Sequence, residues 1–146
     1  MSAAHAQPVP RRAFLDSSGY LAVVNARDRY HREARAAWAQ LVDARCQTYT
    51  SSFVVAEAHA LFLTRLGYHH AAAFLRQMET TATQVLWVQP ADVARARAIV
   101  YRYSDKDFSL TDATSFVLME RHRIGTALTT DRNFAQYGFQ LLGISS

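Results

Sequence analysis

Short apolar runs alternate along the chain with longer stretches in which apolar residues recur every three or four positions, and this alternation predicts strands and helices in succession. The first run, Arg12-Ala-Phe-Leu-Asp16, is too short for a helix, ends on a carboxylate and leads into Ser17–Ala22, which reads as a helix start. Between Asp28 and Ala44 the residues Ala34, Ala37, Trp38, Leu41 and Val42 recur at helical spacing, with Arg32, Glu33, Arg35 and Gln40 on the other face, so an amphipathic helix is expected. Gln47 to Thr50 reads as a short strand. Ser51 or Ser52 then caps a helix with the stripe Val54, Ala58, Leu61, Phe62 and Leu66, and Gly67 marks its end. Another helix carries Ala71, Phe74, Leu75 and Met78.

The second half repeats the alternation. Val85-Leu-Trp-Val88 is a compact β-type run, and Pro90 opens a helix with Val93, Ala96, Val100 and Tyr103 facing inward. Ser109-Leu-Thr-Asp112 has capping-box spacing ahead of Ala113, Phe116 and Val117, and Gly125 separates that helix from a strand at Thr126–Thr129. A last strand is expected at Gln140–Leu142. Such an order predicts an α/β fold, a sandwich with a mainly parallel central sheet, in which functional groups collect beyond the carboxyl ends of the strands.

Length and composition agree with one domain: 146 residues, 50% apolar and 19% charged, supply ample material for a core. Met1 to Pro10 contains no apolar run, so it is neither a secretory leader nor a membrane span; residues 1–10 are expected to form a disordered arm and 11–146 the domain. Cys46 is the only cysteine, which excludes an internal disulfide and a zinc knuckle and fits a reducing cytoplasm. The histidines, His5, His31, His59, the His69-His70 pair and His122, lack the two-histidine helical spacing of zinc hydrolases. A formal charge of +4 favours contact with a polyanion. Lys106 is the only lysine, and the arginines that supply the rest of the positive charge suit bidentate contact with phosphate, although biased genomic composition accounts for the same fact.

Four acids change the picture, because each falls where a strand ends or a helix begins. Asp16 closes the first strand, Glu57 lies in the early turns of the helix after the second, Asp112 lies in a first turn, and Asp131 follows the strand ending at Thr129. In a parallel sheet all four can share one edge. Gathered carboxylates repel unless a divalent cation neutralises them, and magnesium, which takes oxygen ligands and keeps several waters, suits such a pocket. Taken singly, each acid also has an ordinary explanation: Asp112 as the third residue of a capping box, Asp131 as the cap of the Arg132-Asn-Phe134 turn, Asp16 as a helix cap and Glu57 as an exposed helix residue.

The segments around these acids resemble the PIN-domain family. Phe14-Leu-Asp-Ser-Ser-Gly-Tyr-Leu-Ala22 looks like its opening strand and helix, where serine, threonine or asparagine stands two positions after the aspartate. Ser52-Phe-Val-Val-Ala-Glu57 resembles the second acidic motif, Asp107-Phe-Ser-Leu-Thr-Asp-Ala-Thr-Ser-Phe116 the third, and Ala127-Leu-Thr-Thr-Asp-Arg-Asn-Phe134 the fourth. Asp28-Arg-Tyr-His-Arg-Glu-Ala34 is similar to a helix start usual in VapC-type members. The likeness runs from about Arg12 to Leu142 with no departure at an acidic position.

What the resemblance implies is a PIN-like three-layer α/β/α sandwich and Mg²⁺-dependent endonucleolytic cleavage of RNA, with Mn²⁺ able to substitute. It makes Asp16, Glu57, Asp112 and Asp131 the acidic catalytic and metal-binding set, Asp16 and Asp112 being the first choice as direct ligands, with support from Ser18 and Thr129. A hydroxyl at Ser18 bonding the backbone of its own helix start is an equally good account of that residue. Asp105 and Asp107, just before the third motif, either add negative potential to the pocket or are solvated loop acids and stand outside the core set, and Arg11, Arg12 and Arg132 are either RNA-backbone contacts or scattered surface charge. The resemblance further implies a cytoplasmic, homodimeric toxin of a type II toxin–antitoxin pair, held inactive by a small cognate antitoxin protein whose tail covers the acidic groove. Competing readings are an RNA-processing nuclease without a toxin role, a non-catalytic module that grips RNA or protein, and a phosphohydrolase acting on a small ester.

Overall fold

The computed structural model describes residues 8–144. Of the arm expected at residues 1–10, only Pro8–Pro10 fall within that range, and they belong to no helix or strand. The order of elements is β1 (Arg12–Leu15), α1 (Ser17–Val24), α2 (His31–Asp43), β2 (Gln47–Ser51), α3 (Ser52–Leu66), α4 (Tyr68–Thr80), β3 (Gln84–Leu86), α5 (Pro90–Arg102), α6 (Leu110–Arg121), β4 (Thr126–Leu128), α7 (Asn133–Tyr137) and β5 (Gln140–Leu142).

The five strands form one sheet in the order β3-β2-β1-β4-β5, and every pairing is parallel. β1 lies at the centre, with Phe14 opposite Tyr49 of β2 on one side and Ala127 of β4 on the other. From β1 the chain therefore runs outward through β2 and β3 and then returns to the far side of β1 for β4 and β5. The reversal leaves a crevice beyond the carboxyl ends of β1 and β4, the place where open parallel sheets gather their functional groups.

Side chains of β1 alternate between the two faces, as the two-residue period of a strand requires. Ala13 and Leu15 pack with Ala37, Leu41 and Leu128, a core supplied largely by α2. Phe14 packs in a separate cluster with Phe116, Met119, Ile124 and Phe134, supplied largely by α6 and α7. Both faces of the sheet are thus covered, and the three-layer α/β/α sandwich is the observed architecture. A third cluster lies between α1, α3 and α4 and takes in Leu21, Phe62 and Phe74, so these aromatics are core residues.

Several details differ from the periodicity. Val42 and Leu75 are 55% and 38% exposed, because the adjacent Leu41 and Phe74 take the inward positions of their helices. Tyr103 caps α5 instead of continuing it. β3 ends at Leu86, which leaves Trp87 beyond the edge strand and 72% exposed. Asp92 is fully buried: it accepts the Gln89 N–H at 2.9 Å and pairs through both oxygens with Arg121, fastening α5 to α6. Among the described residues no helix is long and apolar enough to cross a membrane.

Candidate active site

The crevice between β1 and β4 is where the four acids meet. Asp16 follows the last residue of β1, and its N–H extends the ladder by donating to Leu128 O at 3.1 Å. It occupies the N-cap position of α1 yet caps nothing with its side chain, so the ordinary explanation of this residue fails. Two hydroxyls hold its carboxylate instead: Thr129 donates to Oδ2 at 2.9 Å and Ser18 donates to the same oxygen at 3.0 Å. Each hydroxyl is fixed in turn by backbone, the Thr130 N–H donating to Ser18 Oγ at 2.9 Å and the Asp131 N–H donating to Thr129 Oγ1 at 3.0 Å. Ser18 therefore serves carboxylate and backbone together.

Close approach of α1 to β4 makes this possible. A Cβ on Gly19 would lie 2.2 Å from Leu128 O, so only glycine lets the first turn of α1 sit against the end of β4 and bring Ser18 to Thr129. Their hydroxyl oxygens are 3.0 Å apart.

The remaining acids are set by helix starts. Ser51 caps α3 by accepting the Val54 N–H, and Glu57 projects from the following turn. Asp112 is the third residue of α6 in a reciprocal capping box: its Oδ2 accepts the Ser109 N–H at 3.1 Å, and Ser109 Oγ accepts the Asp112 N–H at 2.9 Å. Asp131 accepts the Asn133 N–H on Oδ1 at 2.9 Å as the chain turns into α7. For Asp112 and Asp131 the capping explanation is correct, and it coexists with a place in the site.

All four acids line one open cleft of about 500 Å³, together with Ser17, Ser18, Asp107 and Asn133. In each carboxylate one oxygen is engaged: Oδ2 of Asp16, Oε1 of Glu57, Oδ2 of Asp112 and Oδ1 of Asp131. Among the described residues the other oxygen of each accepts no protein hydrogen bond. The protein thus orients four carboxylates and leaves one oxygen of each for something else.

The protonation behaviour of Asp16, Glu57 and Asp131 reports the crowding. Burial pushes the Asp16 carboxyl up to about 7; the Glu57 and Asp112 charges add to the rise, and the Thr129 and Ser18 hydroxyls oppose it. Glu57 is also raised, by burial first and then by Asp112 and Asp131, against the hydrogen bond from Ser17. Asp131 rises through burial and the charges of Asp112 and Asp107, against the Asn133 N–H. Such a cluster stores repulsion that a cation relieves.

Sequence reasoning missed two contributors. Ser17 donates to Glu57 Oε1 at 2.5 Å, linking the first residue of α1 to α3. Asn133 donates from Nδ2 to Asp112 Oδ2 at 3.3 Å. Asp107, outside the core set but one of two loop acids expected either to add negative potential to the pocket or to be solvated, lines the cleft and raises Asp131. A second serine beside Ser18 and an amide two places after Asp131 were the available signals, but spacing alone did not say which acids they would reach. Asp105 stays on the surface beside Lys106. Arg12 lies at the amino end of β1, away from the cleft, where it donates to His122 O.

Among the described residues the donor set suits a hard divalent cation: four hydroxyl- or backbone-oriented carboxylates, one oxygen of each without a protein hydrogen bond, and no histidine or cysteine in the lining. Among the described residues no three such side chains already close around a single point as a ready-made cage. An open arrangement of this kind fits magnesium, which is usually held by one or two carboxylates with water and substrate oxygens completing the shell.

Comparison with known proteins follows the same lines. Residues 13–140 match the PIN domain family model. Over 119 residues the chain is 33% identical to "Ribonuclease VapC26" of Mycobacterium tuberculosis, covering 81% of this chain and 85% of that protein. It is 30% identical over 126 residues to "23S rRNA-specific endonuclease VapC20" of the same species, covering 86% of this chain and 94% of that protein. The crystal structure of M. tuberculosis VapC20, described as a sarcin-ricin loop cleaving toxin, superposes with a TM-score of 0.81 at 29% identity, over 87% of this chain and 95% of that one. FitAcB from Neisseria gonorrhoeae shares the fold with a TM-score of 0.64 at 16% identity, over 89% of this chain and 96% of that one.

Proposed function

The chain belongs to the PIN-domain family, and from that membership we propose that it is a Mg²⁺-dependent endoribonuclease whose site is Asp16, Glu57, Asp112 and Asp131. The observation that carries this reading is the division of labour within each carboxylate, one oxygen held by the protein and one left over at the cleft. Residues that only capped helices would have no reason to converge on one cleft, where Asp16, Glu57 and Asp131 hold their protons more tightly than usual.

When bound, the cation supplies charge neutralisation for a phosphodiester and lowers the proton affinity of a nearby water. Asp16 and Asp112 are the first residues to hold it, with Mn²⁺ an acceptable substitute. Ser18 and Thr129 fix the Asp16 carboxylate so that its free oxygen keeps one position. Glu57, half-buried and raised above the usual carboxylate range, is suited to take the proton of the attacking water.

RNA as substrate is supported by charge. With the five cleft acids and the buried Asp92–Arg121 pair set aside, fifteen lysines and arginines stand against six acids over the rest of the chain. The likeness to proteins named as a ribonuclease, an rRNA endonuclease and a toxin extends over most of their length. It supports a toxin role, and the proposal extends to membership of a type II pair, with a small antitoxin protein covering the acidic groove, a homodimeric state and a cytoplasmic location. Exposed Leu63, Trp87 and Tyr101 provide apolar surface for such contacts.

Incubation of the purified protein with 23S ribosomal RNA and a tRNA pool in Mg²⁺ tests the reading. Discrete fragments that disappear with chelator are expected; intact RNA at stoichiometric protein overturns it.

A further inference from the structure

We propose that Asn133 is a positioning residue for the cation site, using its amide to align Asp112 and its backbone to align Asp131. Four observations carry this. Asn133 is half-buried and lines the cleft. Its Nδ2 reaches Asp112 Oδ2 at 3.3 Å, and because an ionised carboxylate only accepts, the NH₂ end of the amide must be the end facing it. Its N–H donates to Asp131 Oδ1 at 2.9 Å. The next residue, Phe134, is fully buried and meets Phe116 edge-to-face at 5.0 Å, one turn beyond Asp112 on α6.

These contacts form a register. Phe134 locks the start of α7 against α6, and this places the preceding amide at the carboxylate one turn nearer the cleft. Asp112 Oδ2 then has two donors, the Ser109 N–H and the Asn133 amide, and Oδ1 is the oxygen left over. A single residue, through its side chain and its backbone N–H, thereby couples acids carried by two different elements, the β4–α7 turn and α6.

Amide chemistry matters here as much as position. Asparagine donates without bringing charge, so it orients Asp112 and leaves the negative potential of the cleft intact. Lysine or arginine at this place would donate but cancel part of the attraction for a cation. Aspartate would add attraction but lose the donor. Partners that orient metal-ligating groups commonly change metal affinity by ten-fold or more when removed.

This inference rests on the cation-site reading above, and its test separates the two. Free Mn²⁺ is followed by its electron paramagnetic resonance signal during titration of wild type, Asn133→Ala and Asp16→Asn at pH 8, alongside melting of each protein without cation. Asn133→Ala is expected to bind Mn²⁺ about ten-fold more weakly, with cation-free melting close to wild type. Wild-type affinity in Asn133→Ala overturns the role of Asn133 if Asp16→Asn still abolishes binding. Absence of Mn²⁺ binding by wild type overturns the cation site and this inference with it.

Discussion

Thr129 donates its hydroxyl to Asp16 Oδ2 at 2.9 Å across a separation of 113 residues, and the same hydroxyl oxygen accepts the Asp131 N–H at 3.0 Å. The first and fourth acidic segments are joined at one atom. Thr129→Val keeps the shape and removes both functions, leaving the Asp131 N–H without that partner and Asp16 with one donor. A loss of about 1–3 kcal/mol in stability is expected, with RNA cleavage reduced roughly ten-fold or more. Thr129→Ser restores both. Urea denaturation and cleavage rates measured on the two variants check this.

Asp16 itself destabilises the cation-free protein at neutral pH. Its carboxyl rises from an ordinary 3.8 to about 7, so between those values the folded state holds a proton that the unfolded state has released. Stability contributed by the protonated group is therefore lost as pH rises through that window. Glu57 and Asp131 are shifted in the same direction and add to the trend. Melting of the cation-free wild type should fall between pH 5 and 8, and Asp16→Asn should flatten the curve and melt roughly 5 °C higher at pH 8. Added Mg²⁺ should stabilise the wild type and leave Asp16→Asn unmoved. Melting curves at several pH values, with and without Mg²⁺, show either pattern directly.

Gly19→Ala places a methyl 2.2 Å from Leu128 O, and neither backbone segment is a flexible tip that can step aside. A destabilisation of about 2–4 kcal/mol is expected from overpacking, measured by denaturation. The same displacement moves Ser17 and Ser18, so cleavage should fall further than stability explains.

Much of this arrangement was readable in the chain. The two-residue and three-to-four-residue periods gave the strand-helix order, and the acids at strand ends and helix starts marked the crevice. What periodicity does not encode is which of two neighbouring apolar residues turns inward, as Val42 and Leu75 show. Hydrogen bonds between distant segments were equally out of reach: Ser17 with Glu57 and Asn133 with Asp112 depend on packing of α1 on α3 and of α7 on α6. Asp92 lies in the first turn of α5, and only the fold brings Arg121 to it.

That pair offers a prediction away from the site. Burial pushes the Asp92 carboxyl up, but the Arg121 guanidinium and the Gln89 N–H outweigh burial and hold it below the ordinary range. Arg121→Met leaves a buried, unpaired carboxylate and should cost roughly 2–4 kcal/mol at pH 7. The deficit should shrink toward pH 4, where Asp92 takes up a proton in the variant. Asp92→Leu combined with Arg121→Met should recover most of the loss. Chemical denaturation at two pH values distinguishes this from simple loss of a surface arginine.

The most direct test of the account is single-turnover cleavage of one mapped RNA site in Mg²⁺ by wild type, Asp16→Asn, Asp112→Asn and the double variant. Groups that hold one cation act as a unit, so each single change should remove about 10²-fold or more of the rate and the double change little beyond that. Wild type in chelator should fall to the same level. Cleavage by either single variant at the wild-type rate, or multiplication of the two losses in the double variant, would contradict a shared cation site.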